Sequence, residues 1–192
     1  MHRHFILHKP AGYLSQFVGE KAKQKRLGDL YEFPEGTMAI GRLDQTSEGL
    51  LLLTTDGKLS DTIRSRKVEK EYWVQVDGLI SEEALEKLRM GVDIRPEKEV
   101  YRTLPCRVEC LPAVPQLGPP GRKIRDDRHG PSSWISITIT EGKFRQVRKM
   151  TAAVGFPTLR LVRVRIGNVH LADLPSAAVL EVSGFDEGFT RM

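Results

Sequence analysis

Gly41-Arg42-Leu43-Asp44-Gln45-Thr46-Ser47-Glu48-Gly49-Leu50-Leu51-Leu52-Leu53 places a guanidinium and a carboxylate side by side in a turn, directly ahead of an uninterrupted apolar run. Four consecutive leucines bounded by turn residues read as a buried strand. A carboxylate leading into such a strand is unfavourable to leave unpaired, so either a fixed cation offsets Asp44 or Asp44 does chemistry. The tetrapeptide Gly41 to Asp44 alone slightly favours the blander reading, a structural turn with a surface ion pair.

Working outward, Met38-Ala39-Ile40 leads into the turn, and Phe5 to Pro10 reads as a short buried strand stopped by proline and Gly12. Lys21 to Arg26 is a polar connector. The Leu50 to Thr55 strand ends at Asp56-Gly57, which either closes a hairpin or starts a helix carrying Leu59 and Ile63. Lys70 to Val76 alternates, with Lys70, Tyr72, Val74 and Val76 on one face and Glu71, Trp73 and Gln75 on the other. Ser81-Glu82-Glu83 marks a capped helix start, with Ala84, Leu85 and Leu88 as its buried stripe and Gly91 as its end.

Residues 112–133 dissolve into prolines, glycines and charges, a long insertion without a core of its own. Trp134 to Thr140 reads as a strand with an isoleucine face. The spacing then predicts a helix over Phe144 to Val154, with Val147, Met150 and Val154 buried and Arg145, Arg148 and Lys149 on another face. Leu159 to Ile166 is the last strong strand. Many strands and few helices indicate an α+β fold with a mixed or antiparallel sheet, and no glycine-rich turn of the nucleotide-binding kind is present.

A chain of 192 residues suits one domain over 1–192. The first ten residues are too short and too charged for a signal peptide, and no apolar run reaches membrane-spanning length, so a cytoplasmic protein without a membrane partner is expected. Cys106 and Cys110 read as reduced packing thiols, since two cysteines without nearby histidine make a poor metal site. The net charge of +5 is concentrated: seven basic residues but only Glu141 as an acid lie between 141 and 170. An anionic partner for that segment follows.

Three stretches in order, Gly41-Arg42-Leu43-Asp44, Lys70-Glu71-Tyr72 and Glu141-Gly142-Lys143-Phe144-Arg145-Gln146-Val147-Arg148-Lys149-Met150, resemble the motifs of RNA pseudouridine synthases, specifically the RsuA family. Val154 to Leu161 and Pro131-Ser132-Ser133-Trp134 are similar too, and favour the branch acting on the large ribosomal subunit. Phe144 stands where related motifs often carry a polar residue. The small N-terminal RNA-binding domain of the S4 type, found in many relatives, is expected to be absent.

The resemblance implies a pseudouridine synthase fold with flanking helices and a catalytic cleft, and isomerisation of a uridine in ribosomal RNA, most simply 23S rRNA. It implies rRNA as the partner and no cofactor; no metal is expected either, and nothing in the sequence requires more than a monomer. By the same resemblance Asp44 is the catalytic carboxylate, Arg148 its cation, and Tyr72 the aromatic residue that stacks on the uracil. Arg42 fills the space left by the extruded base. Lys70, Lys143, Arg145, Lys149 and Arg160 are candidate RNA contacts. A 16S rRNA or tRNA target and a non-catalytic RNA-binding assembly factor stand as alternatives.

Overall fold

A computed structural model of the chain describes residues 1–65 and 68–185. In chain order the strands and α-helices are β1 (His4–Lys9), β2 (Met38–Ile40), β3 (Glu48–Thr54), α1 (Gly57–Ser65), β4 (Lys70–Asp77), α2 (Glu82–Met90), β5 (Asp93–Ile94), β6 (Tyr101–Arg102), β7 (Arg107–Cys110), β8 (Ser132–Ile139), α3 (Gln146–Ala153), β9 (Thr158–Ile166), β10 (Val169–His170) and β11 (Val179–Val182). The fold is α+β, as the pattern of strands and helices predicts. The chain divides into two compact units, Met1–Val68 with Arg163–Met192, and Glu69–Val162; β9 contributes to both.

In the first unit β1 pairs antiparallel with β11 on one side and β3 on the other, and β2 also pairs with β3. All seven residues of β3 are buried, which explains a continuous leucine run where a strand with a solvated face would alternate. Leu51 and Leu53 sit opposite Leu7 and Phe5, and these four with Leu27 form a core that Phe17, Leu30 and Phe33 close over. Continuing the Phe5 and Leu7 side of β1, Lys9 stands opposite Gly49. A side chain at Gly49 is impossible without movement: an added Cβ would meet Arg163 O at 2.3 Å and Arg163 N at 2.6 Å, and φ is +108°.

The Asp56-Gly57 alternatives resolve in favour of the helix. Asp56 accepts from the amides of Lys58 (3.0 Å) and Leu59 (3.2 Å), supplying partners that the first turn of α1 lacks.

In the second unit β8 lies between β4 and β7, antiparallel to both. The β4 alternation is as read: Tyr72, Val74 and Val76 are buried while the intervening residues are partly exposed. Val74 faces Ile135 and Tyr72 faces Ile137 across the ladder, so the isoleucine face of β8 shares the β4 core side. Ser81 caps α2, accepting from Ala84 N at 3.2 Å, and Ala84, Leu85 and Leu88 are its buried stripe. Cys106 donates to Leu88 O, and burial, with Glu141 nearby, pushes its thiol up to about 11, consistent with a packing role; Cys110 is exposed and both are free.

Both bounds of the last helix need correction: it ends at Ala153, and Val154 is a half-buried C-cap rather than part of the buried stripe. The last helix starts at Gln146, not Phe144, because Arg145 adopts a left-handed conformation (φ +52°) that ends the incoming loop. Arg145 therefore does not share a helical face with Arg148 and Lys149.

Candidate active site

The turn carrying Asp44 is clamped through its backbone by residues 11–15 and by the Gln45 side chain. Gly41 takes φ +74°, where a β-carbon would be strained, and reverses the chain after β2. The buried Ser15 hydroxyl bonds Leu43 twice, accepting from its amide at 2.9 Å and donating to its carbonyl at 2.8 Å. Gly12 N donates to Gln45 O at 2.7 Å, Gln45 Nε2 returns to Gly12 O at 3.1 Å, and Ser47 N donates to Asp44 O at 3.0 Å. Asp44 is thereby fixed while remaining half-buried, and Arg42 beside it is exposed with its guanidinium on Gln16 Oε1.

Behind the turn lies a group of charges that the local sequence does not announce. Lys9 is fully buried and donates to Tyr13 O at 2.8 Å and Pro10 O at 3.1 Å. Burial, and then the nearby Arg163 guanidinium, push the Lys9 ammonium down to about 7, against the opposing pull of Glu48 and Asp44. Glu48 and Arg163 are themselves 4% and 3% exposed. Arg163 donates from Nε to Leu50 O at 2.8 Å and from Nη1 to Arg42 O at 3.4 Å, so it braces both the turn and the strand that follows. Sequence reasoning missed Lys9, Glu48 and Arg163 as site residues. The available signal was a charged residue at the end of each apolar stretch, at Lys9 before Pro10 and at Glu48 before the leucines.

The other predicted residues belong to the second unit. Tyr72 is buried on β4, Lys70 is half-buried at the start of that strand, and Arg148 is half-buried on α3. Glu141 organises the loop before α3: its carboxylate accepts from Tyr101 Oη (2.5 Å), Leu104 N (2.9 Å) and Gln146 Nε2 (2.5 Å). Lys143 and Arg145 are exposed on that loop, and Lys149 is half-buried, donating to Arg95 O and Pro96 O at 2.6 and 2.8 Å. Arg160 is only 8% exposed and donates to Gly118 O at 3.0 Å, with Leu117 O and Pro119 O at 3.5 Å. Its guanidinium thus holds the 112–133 insertion, as does Arg125, which pairs with Asp77 and donates to Gly130 O at 2.7 Å.

The sequence profile of the family described as RNA pseudouridylate synthase matches residues 3–153, taking in both the Asp44 turn and the Glu141 to Met150 segment. The chain belongs to that family. This RNA pseudouridylate synthase is 45% identical over 168 residues to the ribosomal large subunit pseudouridine synthase E of Xanthomonas axonopodis pv. citri (strain 306), covering 86% of each chain. It is also 45% identical over 173 residues to the enzyme of the same name from Vibrio parahaemolyticus serotype O3:K6 (strain RIMD 2210633), over 88% of this chain and 69% of the relative. A solved structure described as a pseudouridylate synthase superposes with a TM-score of 0.74 at 28% identity, covering 95% of this chain and 71% of the other. The pseudouridine synthase fold and activity that the motifs implied are those of the family.

Proposed function

We propose that this synthase isomerises a uridine of large-subunit ribosomal RNA, 23S rRNA in a bacterium. The observation that supports the target is the 45% identity to the ribosomal large subunit pseudouridine synthase E of Xanthomonas over 86% of both chains. Breaking the N1–C1′ bond and joining C5 to C1′ leaves the atom count unchanged, with the proton lost from C5 balanced by one gained at N1. The reaction needs an ionised group at the sugar and control of the base.

Asp44 supplies the carboxylate, acting on the ribose either as nucleophile or as the base of an elimination. Its backbone clamps support this role, since a carboxylate held before the substrate arrives need not be ordered during the reaction. Arg148 serves as the cation that keeps the carboxylate charged, and Tyr72 stacks on the uracil and handles the proton at C5. Arg42 occupies the space left by the extruded uridine. Lys70, Lys143, Arg145 and Lys149 bind phosphates, while Arg160 contributes by ordering the insertion. The whole of 1–192 acts as one catalytic domain, as a monomer, in the cytoplasm.

Two measurements test this. Pseudouridine mapping in rRNA from cells lacking the gene is expected to show the loss of a large-subunit site; an unchanged large-subunit pattern overturns the target. Asp44→Asn is expected to lower turnover by about 10⁴-fold or more while RNA binding is largely kept. Turnover surviving that change would refute the mechanism.

A further inference from the structure

Lys143-Phe144-Arg145 forms a presented tripeptide, pinned at both of its ends. On one side Glu141 is fixed by Tyr101, Leu104 and Gln146. On the other, the buried Gln146 accepts from Lys143 N through its Oε1 at 2.9 Å and donates its own amide to Lys143 O at 3.1 Å. Between these anchors Gly142, Lys143, Phe144 and Arg145 all face solvent. Arg145 holds φ +52°, a conformation that non-glycine residues adopt only when the surroundings impose it.

The Phe144 side chain is the unusual member, at 61% exposure. Single exposed hydrophobic residues are common and need no explanation of themselves. This ring differs in its surroundings. The Lys149 ammonium sits 5.0 Å from its centroid and is itself tied to Arg95 O and Pro96 O, so the cation that holds the ring is fixed in turn. The ring also stands between two exposed cations in the most basic segment of the chain. An apolar contact with a protein would not call for that concentration of positive charge, whereas a nucleotide supplies a flat apolar face and an anion together.

An enzyme that extrudes its target base disrupts the stack in which that base stood, and unpaired neighbours then need a new surface. Aromatic side chains provide one for any base, because every base has a π-face.

We propose that Phe144 is a stacking platform for an unpaired base of the substrate RNA, with Lys143 and Arg145 neutralising the adjoining phosphates. This rests on the chain acting on RNA, as its family does, and not on which RNA it modifies. It gives Phe144 a role in substrate binding where a polar residue would offer only hydrogen bonds.

The test compares Phe144→Ala, Phe144→Leu, Phe144→Tyr and Phe144→Trp. The probes are a fluorescein-labelled single-stranded RNA dodecamer for binding and an unmodified large-subunit rRNA transcript for turnover. Alanine and leucine are expected to weaken binding of the dodecamer about tenfold, and tyrosine and tryptophan to stay within about twofold of the parent. On the transcript the loss appears in KM rather than in kcat, and the thermal midpoint is unchanged because the ring is largely solvated. The tryptophan variant gains an emission component that the dodecamer quenches. Leucine performing as well as phenylalanine would reduce the site to an apolar contact and overturn stacking, as would all four variants binding like the parent. Because the dodecamer measurement needs no catalysis, a failed rRNA assignment leaves the platform separately decided.

Discussion

The Ser15 hydroxyl and the backbone of Leu43, 28 residues apart in sequence, are joined by two hydrogen bonds at 2.8 and 2.9 Å. Both residues are buried, so the two bonds are shielded from competing solvent.

Ser15→Ala therefore leaves an amide and a carbonyl of Leu43 without partners, at a cost of about 2–3 kcal/mol. Urea unfolding should show that loss. Turnover should fall with it, since Leu43 precedes Asp44 directly, while Ser15→Thr restores part of both. A stability change below about 0.5 kcal/mol would show that the clamp is dispensable.

Lys9 makes stability pH-dependent. Its folded value, pushed down to about 7, lies below the ordinary lysine value of 10.5. Below about 7 both folded and unfolded chains carry the charge, and the penalty of burying it is fully present. Between about 7 and 10.5 the unfolded chain binds the proton and the folded chain does not, so stability from this group rises with pH. Thermal midpoints of the parent and Lys9→Met, measured from pH 6 to 9.5, should diverge upward for the parent. Parallel curves would exclude a depressed Lys9.

Arg160 and Lys143 should separate in their dependence on salt. Lys143→Ala is expected to reduce the slope of log K against log salt for single-stranded RNA by about 0.7, the share of one phosphate contact. Arg160→Ala should leave that slope unchanged and instead speed limited proteolysis within 112–133, because its guanidinium holds Gly118 O and is buried. A reduced slope for Arg160→Ala would return it to the RNA contacts.

The parts of the fold that were legible are those in which one residue decides its own environment. The two-residue period of Lys70 to Val76 is visible because only one face of β4 is buried, and Ser81 caps α2 by contacts three residues away. The α3 boundary was not legible. Phe144 and Arg145 are acceptable helix residues, and what excludes them is a loop held by Tyr101 and Leu104, about forty residues distant. Arg160 likewise reads as one more exposed cation until the insertion is seen to lie over it.

By itself the sequence determined that this chain is an α+β RNA pseudouridylate synthase, and it singled out Asp44 as the candidate carboxylate, because ordered motifs and local periodicity are written in neighbouring residues. Only the tertiary structure decided how the turn that carries Asp44 is clamped and which charges are buried behind it. Ser15, Lys9, Glu48 and Arg163 come from four separate stretches, and each is polar in a way that a solvated strand end or turn would also allow. Burial is a property of the neighbours a chain segment acquires on folding, so these buried charges were indistinguishable in sequence from those that face water.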